Sequence, residues 1–238
     1  MPNNYFKFKQ FTVQQENCAM KVCTDACLFG AYVADMVKTK ASANILDIGT
    51  GTGLLSLMLA QRVAAAIDAV EIDEAAYQQA KENFENSPWK ERLTVYNSDV
   101  LQFETGKKYD CIISNPPFYE NDLKSSDTNK NNAKHDTSLT LEQLLVVAKK
   151  HLTDDGMFAV LLPYHRTDYF IKETIKNDLH LSRKILVKQT EKHDHFRSIL
   201  IFTCQQSMLT EETISIKTAD DKYSVRFAEL LKDYYLYL

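Results

Sequence analysis

Asp47-Ile48-Gly49-Thr50-Gly51-Thr52-Gly53 is the stretch on which the reading of this chain turns. It closes a short apolar run, Asn44 to Ile48, and opens a helical pattern from Leu54 to Val63. Glycines at alternate positions between a strand and a helix let the backbone turn sharply and let a ligand approach it closely. The spacing is GxGxG, one residue shorter than the GxGxxG that cradles a dinucleotide pyrophosphate.

Outward from this turn, strand and helix patterns alternate. Thr24 to Val37 reads as a helix, with Thr24 placed to cap it and Leu28, Ala31, Tyr32 and Met36 at helical spacing. Beyond the glycines come a strand at Ile67 to Ile72, a helix at Glu74 to Glu85, and strands at Arg92 to Tyr96 and Tyr109 to Ser114. Thr140 and Gln143 form a capping box for a helix running to about Leu152. A strand at Met157 to Leu162, a helix at Asp168 to Lys176, and strands at Leu181 to Val187 and Ser198 to Cys204 follow. A short strand at Thr213 to Ile216 and a helix from Ser224 to about Tyr235 end the chain. Such alternation predicts an α/β fold, a seven-stranded, mostly parallel sheet with helices on both faces. Residues 1–23, with Phe6, Phe8, Phe11 and Met20, read as an N-terminal flap, 24–204 as a catalytic core and 205–238 as a strand-helix appendage. The whole is expected to be one domain. The polar stretch 119–139 is too long for a simple connection, and loops of that length are usually functional or disordered.

Composition narrows the class. Hydrophobic residues make up 45% and charged residues 25%, ordinary globular values. No apolar run reaches the roughly 18 residues of a membrane-spanning helix. The first ten residues lack an apolar secretory core, so a soluble, cytoplasmic protein is expected. Five cysteines at irregular spacing read as thiols, and Cys18, Cys23 and Cys27 lack a fourth ligand at zinc spacing. His193-Asp194-His195 lacks a third ligand, so no metal is expected. The net charge of -4 does not favour nucleic acid, but Lys172 to Arg197 carries seven Lys/Arg against four Asp/Glu, a strip compatible with RNA.

The pattern D-x-G-x-G-x-G resembles motif I of the class I methyltransferases, whose cofactor is S-adenosylmethionine. That resemblance implies an acid ending the next strand, to accept from two ribose hydroxyls, and Glu71 stands there. Ile72 would lie against the adenine ring. A polar residue after the following strand would accept from the adenine amino group. Asn97-Ser98-Asp99 supplies it, with Asp99 the expected acceptor. Asp47, Gly49, Thr50, Gly51 and Gly53 complete the expected cofactor contacts.

Asn115-Pro116-Pro117-Phe118 ends the strand at Tyr109 to Ser114. An amino nitrogen conjugated to a ring or carbonyl attacks slowly, because its lone pair is delocalised. The Asn115 side-chain oxygen and the Pro116 carbonyl can orient such an amine and draw it toward pyramidal geometry. Pro116 and Pro117 hold these acceptors rigidly, and Phe118 offers a ring on which a base can stack. No strong general base is needed, since the proton can leave after attack; positioning and electrostatics carry the rate. NPP[FY] resembles motif IV of methyltransferases acting on adenine N6, guanine N2 or glutamine N5. By this likeness Asn115 also touches the cofactor.

A closer resemblance covers nearly the whole chain. Phe6-Lys7-Phe8-Lys9-Gln10-Phe11 and Ala19-Met20-Lys21-Val22-Cys23-Thr24-Asp25 resemble the N-terminal region of the bacterial tRNA1(Val) adenine-37 N6-methyltransferase family. Asn115 to Tyr119, Leu123-Lys124-Ser125 and Ala133-Lys134-His135-Asp136 resemble its catalytic loop, and Asp233-Tyr234-Tyr235-Leu236 its C-terminal helix. The resemblance implies N6-methylation of a tRNA adenine, with tRNA the partner and no obligate protein partner. It puts Lys21, Thr24 and Asp25 near the methionine end of the cofactor. Tyr119, Lys124, Lys130, Lys134 and His135 are implied to meet the RNA near the target, with Arg183, Lys184 and Lys188 further along it. The family tends to carry Gly at the positions of Cys23 and Ala26 and Arg at those of Lys130 and Lys134; lysine keeps the charge but loses bidentate phosphate geometry. Two other readings stand beside it. A release-factor glutamine N5-methyltransferase shares NPP[FY] but has a sizeable helical domain before motif I, where this chain has 46 residues before Asp47. A non-catalytic RNA-binding scaffold would not need Asp47, Glu71, Asp99 and Asn115 together.

Overall fold

The structure, a computed structural model, describes residues 3–18, 20–38, 43–117 and 139–238. Its first element is a hairpin of β1 (Tyr5–Lys7) and β2 (Thr12–Gln14). Then come α1 (Thr24–Val37), β3 (Asn44–Ile48), α2 (Leu54–Arg62), β4 (Ala66–Glu71), α3 (Glu74–Glu85), β5 (Leu93–Asn97) and β6 (Tyr109–Ser114). The second half comprises α4 (Leu141–His151), β7 (Leu152–Pro163), α5 (Thr167–Ile175), β8 (His180–Thr190), β9 (His195–Thr203), β10 (Thr210–Lys217) and α6 (Val225–Leu231). The sheet runs β10-β8-β9-β7-β6-β3-β4-β5, with only β9 antiparallel to its neighbours.

The sheet has eight strands where the alternation predicts seven. The short C-terminal strand is longer than its apolar part, and it pairs in parallel with β8 along seven register positions, from Thr210↔Arg183 to Lys217↔Thr190. It therefore extends the sheet rather than standing apart as an appendage.

Two apolar cores lie on the two faces of the sheet. One joins α1, α2 and α6 to flap residues Phe8, Phe11 and Val13. The other gathers α4 and α5 over Leu46, Ile112, Phe158 and Phe202. Burial on both faces explains why β3 carries Ile45, Leu46 and Ile48, as buried parallel strands require, with Asp47 enclosed among them. Flap and C-terminus close over α2 together. Lys9 N–H donates to the Tyr234 carbonyl at 2.8 Å, and the Tyr234 hydroxyl donates to the Met58 carbonyl at 3.0 Å. The Arg92 guanidinium takes the free carbonyls of Ala60, Val63 and Ala65 at 2.7–2.9 Å, so one cation serves the end of α2.

The expected Thr140–Gln143 capping box is present on both sides. Asp73, which the sequence did not single out, caps α3 by accepting from the Ala76 N–H. The cap of α1 is Cys23, whose side chain makes no capping bond, so Thr24 is the first helical residue rather than the cap.

Candidate active site

Chain direction places the site. β4 and β5 lie on one side of β3 and β6 on the other, so the connections diverge at the carboxyl ends of β3 and β6, the position where open α/β sheets bind ligands. The two ends are tied there: the Ser114 hydroxyl donates to the Ile48 carbonyl at 2.9 Å. A cavity of about 450 Å³ opens at this point, in the size range of small-molecule sites.

The glycine turn forms one wall. Gly51 has φ +55°, and a Cβ built there meets nothing within 4 Å, so the bare backbone faces open space. Its N–H donates to a Glu71 carboxylate oxygen at 2.8 Å, while the other oxygen accepts from Asp73 N–H at 3.0 Å. Glu71, at the end of β4, and Ile72, 54% exposed, both line the cavity. Asp99 lines it too, with one oxygen accepting from Leu101 N–H at 2.9 Å. Gly49 and Thr50 complete this wall.

Asp47 and Gly53 serve the turn from behind. Neither is among the lining residues. Asp47 is wholly buried, and one oxygen accepts from the hydroxyls of Thr50 at 2.6 Å and Ser56 at 2.7 Å. Burial pushes its carboxyl up to about 6 against the opposing pull of those two hydroxyls. Gly53 has φ +81°, and a Cβ there would come within 2.5 Å of the Phe84 ring. It is glycine because α3 packs against the start of α2.

The flap supplies the opposite wall through Cys18, Met20, Lys21, Val22 and Cys23. Asn83 on α3 fixes it, donating to the Gln14 carbonyl at 2.9 Å and the Thr52 carbonyl at 2.8 Å while accepting from Gln14 N–H. The buried Gln15 accepts from Val22 N–H, and its carbonyl accepts from the Lys21 ammonium. Thr24 and Asp25, expected beside the cofactor with Lys21, are not lining residues. Asp25 is turned to Arg197, whose Nε donates to it at 2.7 Å, and Thr24 hydrogen-bonds the Tyr235 hydroxyl. Met20, expected to pack with the flap, is 41% exposed and faces the cavity instead.

Asn115, Pro116 and Pro117 complete the cavity at the end of β6. The Asn115 amide nitrogen lies 3.9 Å from the Met20 sulfur. Its oxygen is sealed from solvent and accepts no hydrogen bond among the described residues. A buried acceptor left unmatched costs about 1–3 kcal/mol, a cost expected where function requires it. Leu139, and Gln143, which the sequence marks only as half of a capping box, close the cavity beside α4. The expected site residues Phe118, Tyr119, Lys124, Lys130, Lys134 and His135 lie outside the described residues.

The remaining expected RNA contacts separate into two kinds. Lys184 pairs with Glu211 at 2.7 Å, and Arg183 donates to the Tyr32 hydroxyl, which also bonds Glu212. Both cations are committed to the neighbouring strand and α1. Lys188 lies further along β8, opposite His195 and nearer the carboxyl edge of the sheet. None of the five cysteines is disulfide-bonded. Burial pushes the Cys18 thiol up to about 11 and those of Cys23 and Cys27 to about 12. Among the described residues no three His, Cys, Asp or Glu side chains form a group that could hold a metal.

An open sheet with this strand order and a ligand cavity at its switch point is the Rossmann-like fold of the class I methyltransferases, and solved structures agree on the fold. A predicted O-methyltransferase from Agrobacterium tumefaciens superposes with a TM-score of 0.63 at 14% identity, over 87% of this chain and 95% of that one. A putative RNA methyltransferase from Pyrococcus horikoshii superposes at 0.55 and 18% identity, over 75% and 81%. Residues 30–189 match the methyltransferase small domain family. Curated proteins named tRNA1(Val) (adenine(37)-N6)-methyltransferase are 44% identical in Dyadobacter fermentans, over 99% of both chains, and 41% identical in Cytophaga hutchinsonii, over the full length of both. The chain belongs to the tRNA1(Val) (adenine(37)-N6)-methyltransferase family.

Proposed function

We propose that this protein transfers the methyl group of S-adenosylmethionine to N6 of an adenine in tRNA, position 37 in the anticodon loop of tRNA1(Val), as its relatives' names state for them. The observation that carries the chemistry is the Asn115 oxygen, buried, unmatched among the described residues and beside the cavity.

The residues present fit the cofactor. The bare backbone at Gly51 leaves room against the turn, the Glu71 carboxylate stands where ribose hydroxyls can donate to it, and Ile72 offers an exposed apolar face. Glu71, Asp73 and Asp99 against Lys21 give the lining an acidic balance that suits a cationic ligand. Gly49, Thr50 and Lys21 complete the contacts. Asp47 and Gly53 act by holding the turn, and Thr24 and Asp25 by fixing the start of α1. Bound there, S-adenosylmethionine supplies a methyl group activated on a positively charged sulfur. The Asn115 oxygen accepts one N–H of the target amine and the Pro116 carbonyl the other. Both hold the nitrogen lone pair toward the donor and out of conjugation. The nitrogen sheds its extra proton to water after the transfer. Phe118 stacks the base, and Tyr119, Lys124, Lys130, Lys134 and His135 meet the RNA nearby, as the family likeness implies.

Hairpin, core and the last two elements act as one unit, because flap and C-terminus share a core with α1 and α2. Among the described residues no helix is long and apolar enough to cross a membrane. We place the reaction in the cytoplasm, where tRNA is modified. The test is a transfer assay with unmodified tRNA and, separately, a release factor bearing the GGQ loop. Label on tRNA adenine is expected; label on release-factor glutamine alone would replace this reading with glutamine N5-methylation.

A further inference from the structure

The carboxyl edge of the sheet carries a row of rings and cations beyond the cavity. It begins at α4, where Gln143 lines the cavity and the adjacent Glu142 accepts from the Tyr169 hydroxyl on α5. The Arg166 guanidinium lies over the Tyr169 ring, 4.8 Å from its centroid. Tyr164, in the turn joining β7 to α5, meets the ring of His195 at 5.1 Å with 45° between the planes. His195 opens β9 and faces Lys188 of β8. Tyr164 is 44% exposed and Tyr169 40%. Strand register fixes the distance from the chemistry. Ser114 pairs with Val160, so Asn115 stands beside Leu161. The end of β7 lies two residues further on, about 7 Å along the strand and ~4.8 Å across.

We infer that this ledge carries the nucleotides flanking the target base: Tyr164, backed by His195, stacks a neighbouring base, while Arg166 and Lys188 hold phosphates. The inference rests on the RNA reading above and extends it to residues outside the cavity and the family motifs. A base drawn into the cavity leaves its neighbours in the strand unstacked, and rings interleaved with cations are the surface that receives them. The chain as a whole is acidic at -4, so its general field does not attract RNA and the grip must be local. Asp168, in the first turn of α5, is an acid within the row, and Glu142 is engaged by Tyr169.

Steady-state methylation of unmodified tRNA by the wild type, Tyr164→Ala, Tyr164→Phe and His195→Ala tests this. Tyr164→Ala should raise KM for tRNA by roughly 5- to 100-fold, the range for removing one base–aromatic stack, with KM for S-adenosylmethionine and kcat at saturating tRNA unmoved. Tyr164→Phe, which keeps the ring, should restore KM, and His195→Ala should fall between. An unchanged KM for tRNA in both alanine variants would overturn the ledge while the wild type still methylates tRNA. No transfer to tRNA by the wild type would instead overturn the reading on which the ledge rests. A second measurement needs no variant: ultraviolet crosslinking of the wild-type complex should place RNA adducts on Tyr164 or His195. Adducts confined to other peptides would contradict the proposal.

Discussion

At the scale of one residue, the proposed chemistry rests on Asn115. Its oxygen is desolvated before substrate arrives, so little reorganisation is needed when the amine binds. Asn115→Ala should lower kcat by about 10²-fold or more, as for loss of one preorganised polar group. Calorimetry should show S-adenosylmethionine still binding, and unchanged turnover would refute the role. Glu71→Ala should weaken cofactor binding by about 1.5–3 kcal/mol, the value of hydrogen bonds to a charged group, as read by the same titration. Asp47 gives a pH signature. Its carboxyl titrates at about 6 in the fold against 3.8 ordinarily, so the folded protein keeps a proton that the unfolded chain releases. The stability this adds is full below 3.8 and is lost as pH rises to about 6. Urea unfolding should show the wild type losing ground to the non-titrating Asp47→Asn across that window; parallel stability curves would exclude it.

At the level of elements, Gly53 and Gly106 separate strain from packing. Both have positive φ, but only Gly53 faces another element, the Phe84 ring of α3. Gly106→Ala should cost about 1–2 kcal/mol for the left-handed backbone alone. Gly53→Ala should cost about 2–5 kcal/mol, adding overpacking to that strain. Denaturant midpoints would report the two losses, and equal losses would mean that α3 yields freely. The same positions show what is legible in a sequence. Local signals such as the capping box at Thr140 and the strand at Asn44 to Ile48 depend on near neighbours and read correctly. Gly53 reads as a ligand contact because its packing partner is 31 positions away. Thr24 reads as a cap because its side-chain type suggests one, but the helix begins one residue earlier, with Cys23 at the cap position.

Across the whole molecule, the gathering of the glycine turn, Glu71, Asp99 and Asn115 around one cavity is legible because each lies at or just past a strand's end, and the ends of parallel strands converge. The eighth strand is legible as a strand but not as part of the sheet, since its pairing with β8 is non-local. β10 brings Glu211 beside β8, where it pairs with Lys184, and Arg183 bonds the Tyr32 hydroxyl that Glu212 also engages, so two cations that in sequence look like a free basic strip are held within the fold. Lys188 lies beyond that pairing with acids. Lys188→Gln should therefore flatten the salt dependence of tRNA binding by about 0.7–0.9 in log–log slope, the share of one neutralised phosphate. Lys184→Gln should leave the slope unchanged, and equal slopes for the two variants would contradict this division. The central claim, that a dry acceptor at the switch point directs methyl to an exocyclic adenine nitrogen in tRNA, is tested most directly by nucleoside mass spectrometry of unmodified tRNA1(Val) after incubation with the protein and S-adenosylmethionine. The wild type should leave N6-methyladenosine at position 37 and Asn115→Ala almost none; a methyl group on another base or another atom, or equal yield from the variant, would contradict this assignment.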